Sequence, residues 1–220
     1  MYMKKTISLF LVLALALSLA ACGGQTAQSP APTPTAVPES PAAEAHYPVT
    51  ITSYNENGET YTQTFDQCPE RVVSISQANT ELLLALGLRD KIIATAHRFS
   101  PVYEPLAEEY NSIPFIAEKG YPAKEVVLDQ EPDMIVGWGS LFAEDALGPV
   151  SEWNDRGVGT YLMNNTVSGL GNRTVEFLYD DIETLGQIFD VEDAAQAMID
   201  DMKTRIAAIG EKVSALPDEQ

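Results

Sequence analysis

The sequence predicts an α/β fold in which a parallel sheet is covered by helices on both faces. Five short apolar segments carry this prediction, and their starts lie 20 to 26 residues apart. Such intervals are far longer than β-hairpin loops and fit β-helix-β crossovers. The segments are almost continuously apolar, which is typical of parallel strands buried on both faces. The predicted strands are Val72–Ile75, Ile92–Ala96, Ile113–Ala117, Met134–Trp138 and Thr160–Met163.

An N-terminal β-hairpin is predicted to precede the sheet. β-forming residues occur at Val49 and Ile51 and again over Thr60–Phe65. Between them stands Asn57-Gly58, the kind of pair that most strongly favours a tight hairpin turn. We therefore expect two antiparallel strands that lead into the α/β domain.

The intervals between the predicted strands carry helix signals. Asn79 is a suitable N-cap for a helix over Thr80–Leu86, and Gly87 is a suitable terminator. Pro122 favours the start of a second helix, and Pro132 favours its end. This second helix is predicted over 122–130, and further helices are predicted over 151–156 and 174–189.

A long helix is predicted after these elements. Apolar residues recur at spacings of three and four from Val191 to Val213, which is a sustained apolar stripe. Asp190 is expected to start this helix, with Asp193 placed like the acid of a capping box. At 1.5 Å per residue the helix would be roughly 35 Å long, too long for a crossover between neighbouring strands.

The first residues have the pattern of an export signal. Lys4 and Lys5 precede an apolar run over Ile7–Ala21, which is short for a membrane span. The run ends in Leu-Ala-Ala-Cys-Gly, which resembles the lipobox of bacterial lipoproteins. This predicts a signal peptide over 1–21 and Cys22 as the lipid-bearing residue. The alternative is an ordinary secretory cleavage site with an incidental cysteine.

A spacer is predicted after the signal, over 22–46, because this segment is rich in Pro, Ala, Ser and Thr and too polar to fold. Cys68 is the only other cysteine, so modification of Cys22 leaves no intramolecular disulfide. Cys68 is then either buried and inert or a free thiol.

The charge of the chain excludes one class of partner. The net charge is −19, and removal of Lys4 and Lys5 makes it −21. Nucleic acid would be repelled by this field, so we expect no nucleic-acid binding. The charge fits the solubility of an exported protein, for which we expect a monomer.

Three segments together resemble a known family. They read RVVSISQANTELLLALGL, KIIATA and PAKEVVLDQEPDMIVGW. In this order they resemble class III substrate-binding proteins of ABC importers, which capture ferric siderophores, haem or cobalamin. The similarity runs over roughly residues 47–215.

The resemblance implies a Rossmann-like ligand-binding lobe over 47–190 and a rigid interlobe helix over 191–215. Residues 216–220 would start a second lobe that this chain lacks. It further implies an extracytoplasmic lipoprotein, anchored to the bacterial cell membrane, that hands an iron chelate to an importer permease. Neither catalysis nor a cofactor is implied. An acid at the position of Glu125 would dock onto the permease, whereas the plainer reading of Glu125 is a solvated acid on a helix face.

The residues themselves point to one edge of the sheet. In open parallel sheets ligands bind beyond the carboxyl ends of the strands. The loops at that edge are 76–79, 97–100, 118–121, 138–141 and 164–169. Their candidate ligand-binding residues are Gln77, Asn79, His97, Arg98, Lys119, Tyr121, Trp138 and Asn164.

Each candidate has a chemical reason and a plainer alternative. Arg98 suits an anionic chelate, or else forms a surface ion pair. Tyr121 and Trp138 could wall a bulky ligand, or else pack in the core. The amides could bind ligand or cap loops. We expect no metal ligation by His97, since no second ligand lies at metal-site spacing.

Two other function classes stay open from the residues alone. One is an enzyme on a doubly wound fold, against which stands the lack of a nucleophile elbow or phosphate loop in the sequence. The other is a non-catalytic surface scaffold or adhesin lipoprotein. Among ligands, cobalamin and haem are alternatives to a ferric siderophore.

Overall fold

The computed structural model describes residues 45–215. An N-terminal antiparallel hairpin leads into a parallel five-stranded sheet, and a long helix comes last. The strands are β1 Val49–Tyr54, β2 Thr60–Phe65, β3 Val72–Ile75, β4 Ile92–Ala96, β5 Phe115–Ala117, β6 Met134–Gly137 and β7 Gly159–Leu162. The helices are α1 Gln77–Ala85, α2 Ala107–Asn111, α3 Lys124–Leu128, α4 Val150–Asn154, α5 Val175–Phe189 and α6 Glu192–Ser214. The predicted α/β fold is therefore confirmed, although α2 was not anticipated.

The strand order in the large sheet is β5-β4-β3-β6-β7, with every pairing parallel. The chain builds outward from β3 to β5 and then returns to the other side of β3 with β6. The loops after β3 and β6 therefore diverge above adjacent strands. A reversal of this kind opens a crevice at the carboxyl edge of a parallel sheet.

Both faces of the sheet are buried. Consecutive residues of β3 belong to different hydrophobic clusters: Val72 packs with Ile182 and Leu185 of α5, whereas Val73 packs with Trp153 of α4. Because successive side chains of a strand point to opposite faces, this division requires helices on both sides. It explains why the strands read as continuous apolar runs.

The hairpin forms as its turn residues predict. β1 pairs with β2 from Val49 opposite Phe65 to Tyr54 opposite Thr60. In the connecting loop the Asn55 carboxamide oxygen accepts hydrogen bonds from two backbone N–H groups. Gly58 adopts a φ of 80°, a left-handed conformation that glycine reaches without a Cβ penalty.

The predicted start of the first helix is wrong. α1 begins at Gln77, so Asn79 lies inside the helix, buried, with its amide donating to the Ile75 carbonyl at 3.2 Å. The backbone N–H groups of Ser76 and Gln77 donate to the carbonyls of Ala96 and His97. Because the carbonyls at the end of the adjacent strand β4 accept hydrogen bonds from these N–H groups, the helix starts directly after β3 without a polar cap.

The predicted start of the long helix is also wrong. Asp190 does not cap α6; with a φ of 57° it ends α5 in the left-handed conformation. The turn lets the Val191 N–H donate to the Gly186 carbonyl at 2.9 Å, which closes the last turn of α5. α6 then begins at Glu192, and Asp193 makes no side-chain cap.

α6 is packed near its start and exposed further along. Ala195 and Ile199 are buried, whereas Ile206, Ile209 and Val213 are 47%, 60% and 59% exposed. Within residues 45–215, no helix combines the length and the apolarity that a membrane crossing needs. The predicted signal peptide, Cys22 and the spacer up to residue 44 lie outside the described residues, as do residues 216–220.

Candidate functional site

Four aromatic rings meet at the carboxyl edge of the sheet. His97 and Phe99 follow β4, Tyr121 follows β5 and Trp138 follows β6. The ring centre of His97 lies 5.7 Å from Phe99, 5.5 Å from Tyr121 and 5.7 Å from Trp138. These separations are those of favourable tilted and edge-to-face pairs. We call the four residues the aromatic platform.

The aromatic platform faces solvent in part. Phe99 is 56% exposed and Tyr121 is 38% exposed, while the Tyr121 hydroxyl lies 3.0 Å from the Ser140 hydroxyl. Large apolar side chains held at a surface by neighbouring rings lose little entropy when a ligand covers them. The platform is therefore suited to receive a bulky, partly apolar molecule.

Backbone strain is concentrated beside the platform. Ser76 has a φ of 119° and His97 a φ of 60°, and the two lie on adjacent strand ends. Such conformations cost of order 1–3 kcal/mol in residues with a Cβ and persist where the surroundings impose them. The Ser76 Oγ and His97 Nδ1 atoms are buried and have no hydrogen-bond partner among residues 45–215. Strain and unpaired polar atoms together are typical of functional sites.

Gln77 holds the loop that carries Phe99. Its carboxamide oxygen accepts from the backbone N–H groups of Phe99 at 3.2 Å and Ser100 at 3.0 Å. Its amide nitrogen donates to Glu81 and to the Pro101 carbonyl. Gln77 and Asn79 are both buried, so these two candidate residues bond to the protein itself rather than projecting from the edge.

The basic candidates Arg98 and Lys119 lie in the loops that carry Phe99 and Tyr121 of the platform. The Arg98 guanidinium donates to the Glu118 carboxylate at 3.0 Å and lies 4.9 Å above the centre of the Phe115 ring. This ion pair matches the plainer of the two expectations for Arg98, a surface ion pair rather than a ligand contact. Lys119 is exposed in the next loop.

A small pocket adjoins Trp138. It has a volume of about 290 Å³ and is lined by Trp138, Ser140, Asn165, Thr166 and Arg173. Arg173, Ser140 and Phe99 were not among the residues picked from the sequence. Phe99 and Ser140 lie in loops that the strand-end rule had nominated, whereas Arg173 lies beyond the last of them and had no such signal.

Asn164 lies apart from this pocket. It borders a separate recess with Tyr54, Tyr161 and Phe177, and its backbone N–H donates to the Asp181 carboxylate at 3.0 Å. The Tyr161 hydroxyl donates to the same oxygen at 3.0 Å. Burial raises the pKa of Asp181 to about 7, since it disfavours the charged carboxylate more than these two bonds favour it.

A larger recess lies at the opposite edge of the sheet. Its volume is about 570 Å³, and its lining includes Phe65, Pro69, Asp133 and Gly159, which lie close to the amino ends of the strands. Parallel α/β sheets bind their ligands at the carboxyl edge, where strand ends and helix starts converge. We therefore take the platform, rather than the larger recess, as the candidate site.

Glu125 is exposed on α3, whose first turn it occupies. The preceding residue, Lys124, pairs with Glu152 of the segment that forms α4. This contact ties α3 to its neighbour and leaves the Glu125 carboxylate toward solvent. A protein partner could reach it without rearrangement of the fold.

Known proteins share this fold and sequence pattern. An uncharacterized ABC transporter substrate-binding lipoprotein of Bacillus subtilis is 26% identical over 175 residues, which are 79% of this chain and 50% of that protein. The crystal structure of a periplasmic binding protein from Veillonella parvula is 30% identical, with a TM-score of 0.71 over 79% of this chain and 55% of that one. That of an ABC-type Fe3+-hydroxamate transport system from Saccharomonospora viridis is 25% identical, with a TM-score of 0.64 over 77% of this chain and 58% of that one.

The chain thus spans about half the length of the relatives it matches. A family model described as periplasmic binding protein matches residues 72–220. This range contains the whole parallel sheet, the aromatic platform and α6. Because the match covers more than half of the sequence, the chain belongs to the periplasmic binding protein family.

Proposed function

We propose that this chain is the ligand-binding half of an extracytoplasmic protein that delivers a ferric siderophore to an ABC importer. Lipidated Cys22 would hold it at the cell membrane, and it would act by binding alone, without catalysis. The aromatic platform at the carboxyl edge of the sheet is the observation that carries this proposal. The similarity to an Fe3+-hydroxamate transport protein at 25% identity supports the choice of an iron chelate.

The charges near the platform support an anionic ligand. The chain has a net charge of −19, so an anion needs local cations to approach it. Arg98 and Lys119 lie in the loops that carry Phe99 and Tyr121, and Arg173 lines the pocket beside Trp138. Arg98 could exchange Glu118 for a ligand oxygen. An exposed ion pair is worth little, so this exchange would cost about 1 kcal/mol or less.

We further propose that a second domain completes the site. The relatives are about twice as long, and the distal part of α6 exposes Ile206, Ile209 and Val213. α6 would connect the two domains as a stiff rod, so closure on ligand would involve small motions. A large compaction in small-angle scattering on ligand addition would contradict this arrangement.

Tryptophan fluorescence provides the first test. The chain has two tryptophans: Trp138 lies in the platform, and Trp153 is fully buried in the core. The purified chain, and the longest reading frame that contains it, should be titrated with ferrioxamine B, ferric enterobactin, haem and cobalamin. We expect saturable quenching by a ferric siderophore.

The two tryptophans serve as each other's control. Trp138→Phe should remove most of the quenching, and Trp153→Phe should retain it. Quenching by haem or cobalamin alone would make that compound the ligand in place of a ferric siderophore, and the proposed transport role would stand. Silence across the panel in a folded longer protein would refute the chelate-binding proposal.

Charge reversal at Glu125 tests the docking role. Glu125→Lys should lower iron uptake in cells by about tenfold or more, because a complementary charge becomes repulsive. The affinity for the chelate should stay within about twofold, since Glu125 is exposed on α3 and does not line the pocket beside Trp138. Glu108→Lys, an exposed acid on α2, is the matched control. A loss of chelate affinity in Glu125→Lys would overturn the assignment.

A further inference from the structure

A cluster of possible metal ligands lies where α5 meets α6, outside the aromatic platform. It consists of His46, Asp190 and Glu192, whose ligand atoms all lie within 4.8 Å of one another. His46 Nδ1 is 3.3 Å from an Asp190 carboxylate oxygen and 3.5 Å from a Glu192 carboxylate oxygen. We call these three residues the His46 cluster.

The ring of His46 is fixed in one orientation. Its Nε2 atom lies 2.7 Å from the Gln187 carbonyl oxygen, which can only accept a hydrogen bond. Nε2 therefore carries a hydrogen. The Tyr47 hydroxyl donates to the next carbonyl, that of Ile188, at 2.7 Å. The end of α5 thus anchors residues 46 and 47 and aims Nδ1 at the two carboxylates.

This orientation creates an electrostatic conflict. In a neutral imidazole with Nε2–H, the Nδ1 atom is an acceptor with a bare lone pair. Here that lone pair faces two carboxylates, which are acceptors as well. A cation between these atoms, either a proton on Nδ1 or a metal ion, would resolve this conflict.

The distances favour a metal ion. A charge-assisted N–H···O bond to a carboxylate is usually about 2.7–2.9 Å long, and one proton on Nδ1 serves one carboxylate at a time. Two ligands about 2.0–2.1 Å from a tetrahedral zinc ion lie about 3.3–3.4 Å apart. The observed separations of 3.3 Å and 3.5 Å between His46 Nδ1 and the two carboxylates match this second spacing.

The surroundings of the cluster suit a hydrated metal site. The His46 side chain is 22% exposed, and those of Asp190 and Glu192 are 59% and 47% exposed. Water can therefore fill the remaining coordination positions. One imidazole with two carboxylates is a donor set that suits zinc and similar divalent transition ions better than calcium or magnesium. The hydrogen bond from Nε2 to Gln187 is the usual support for a metal-bound histidine.

We propose that the His46 cluster binds a divalent transition-metal ion of the zinc class. The ion would join residue 46, at the start of the folded domain, to the junction of α5 and α6. It would clamp the beginning of the domain to the base of the long helix. This site is independent of the ligand that the aromatic platform receives.

Calorimetric titration of the metal-free full chain with zinc chloride at neutral pH tests the proposal. We expect one zinc ion per chain, bound with micromolar or tighter affinity, and a rise of a few degrees in melting temperature. His46→Gln and Asp190→Asn should each weaken binding by at least about tenfold. Glutamine at position 46 can still donate to the Gln187 carbonyl, so this variant should fold.

Two controls separate the cluster from other donors. Asp193→Asn changes an acid in the same helical turn as Glu192, and His97→Gln removes the other histidine of the chain. Both should bind zinc like the parent chain. Absence of binding, or equal binding by His46→Gln and Asp190→Asn, would overturn the site. A third outcome would also overturn the site: zinc leaves the melting temperature of the parent chain unchanged, and His46→Gln lowers the melting temperature of the metal-free chain. In that case an ion pair between protonated His46 and the carboxylates would explain the cluster.

Discussion

Asp181 shows how a single buried carboxyl couples the fold to pH. Its carboxylate receives hydrogen bonds from Tyr161 and from the backbone of Asn164, which begins the loop after β7. Burial is the larger effect and raises the pKa of Asp181 from 3.8 to about 7. The folded protein therefore retains a proton between about pH 4 and pH 7 that the unfolded chain releases.

The sign of the pH effect follows from this difference. Because the folded state binds more protons in that window, the free energy of unfolding falls as the pH rises from about 4 to 7. Asp181→Asn keeps an acceptor oxygen for both donors and removes the ionisation. We expect the free energies of unfolding at pH 5 and pH 8, measured with urea, to differ by less in the variant than in the parent chain. The reduction should be several kcal/mol at most, since one pKa unit is worth about 1.4 kcal/mol.

The exposed acid Glu183 on the same helix supplies the control for this measurement. Glu183→Gln should keep the pH slope of the parent chain. An unchanged slope in Asp181→Asn would show that the carboxyl is ionised in the folded protein throughout this range.

At the scale of elements, the contact between α5 and α6 depends on a glycine. A Cβ atom at Gly186 would lie 2.6 Å from the Cβ of Ala195 on α6. Alanine is otherwise the better helix former by about 1 kcal/mol. Overpacking costs about 1–3 kcal/mol, so the crowding should exceed the gain in helix propensity.

The prediction is that Gly186→Ala lowers the free energy of unfolding by about 1–2 kcal/mol, measured by chemical denaturation. Gly210 provides a matched control, because it lies in α6 and a Cβ there meets nothing within 4 Å. Gly210→Ala should stabilise the chain by up to about 1 kcal/mol. Stabilisation by both substitutions would mean that the two helices lie further apart than described.

At the scale of the whole molecule, the core of the domain covers only the first part of α6, and the distal part of this helix is exposed. Ile199 is 4% exposed, whereas Ile209 on the same helix is 60% exposed. Ile199→Ala should cost about 2–5 kcal/mol of stability, because it leaves a cavity in the core. Ile209→Ala in this chain should stay within about 0.5 kcal/mol, as surface substitutions usually do.

The same two substitutions in a longer reading frame test the second domain. If that domain packs on the distal helix, Ile209→Ala should become destabilising there by more than about 1 kcal/mol. An unchanged effect in the longer protein would contradict the proposed packing.

Local patterns predicted much of the fold. The apolar segments became the parallel strands with shifts of one or two residues at their ends, and Asn57-Gly58 became the hairpin turn. The errors occurred at helix starts. At Asn79 and Asp190 a capping side chain was expected, but backbone contacts from β4 and the left-handed turn of Asp190 satisfied the helix ends instead.

The sequence by itself determined the α/β class, the parallel strands and the hairpin, and it nominated the carboxyl edge of the sheet as the candidate site. These depend on hydrophobic period and strand spacing, which are properties of neighbouring residues. Only the tertiary structure decided which side chains meet there. It joined His97, Phe99, Tyr121 and Trp138, turned Gln77 inward and separated Asn164 from the platform. It also brought His46 to Asp190, which lie more than 140 residues apart, through contacts that no local pattern encodes.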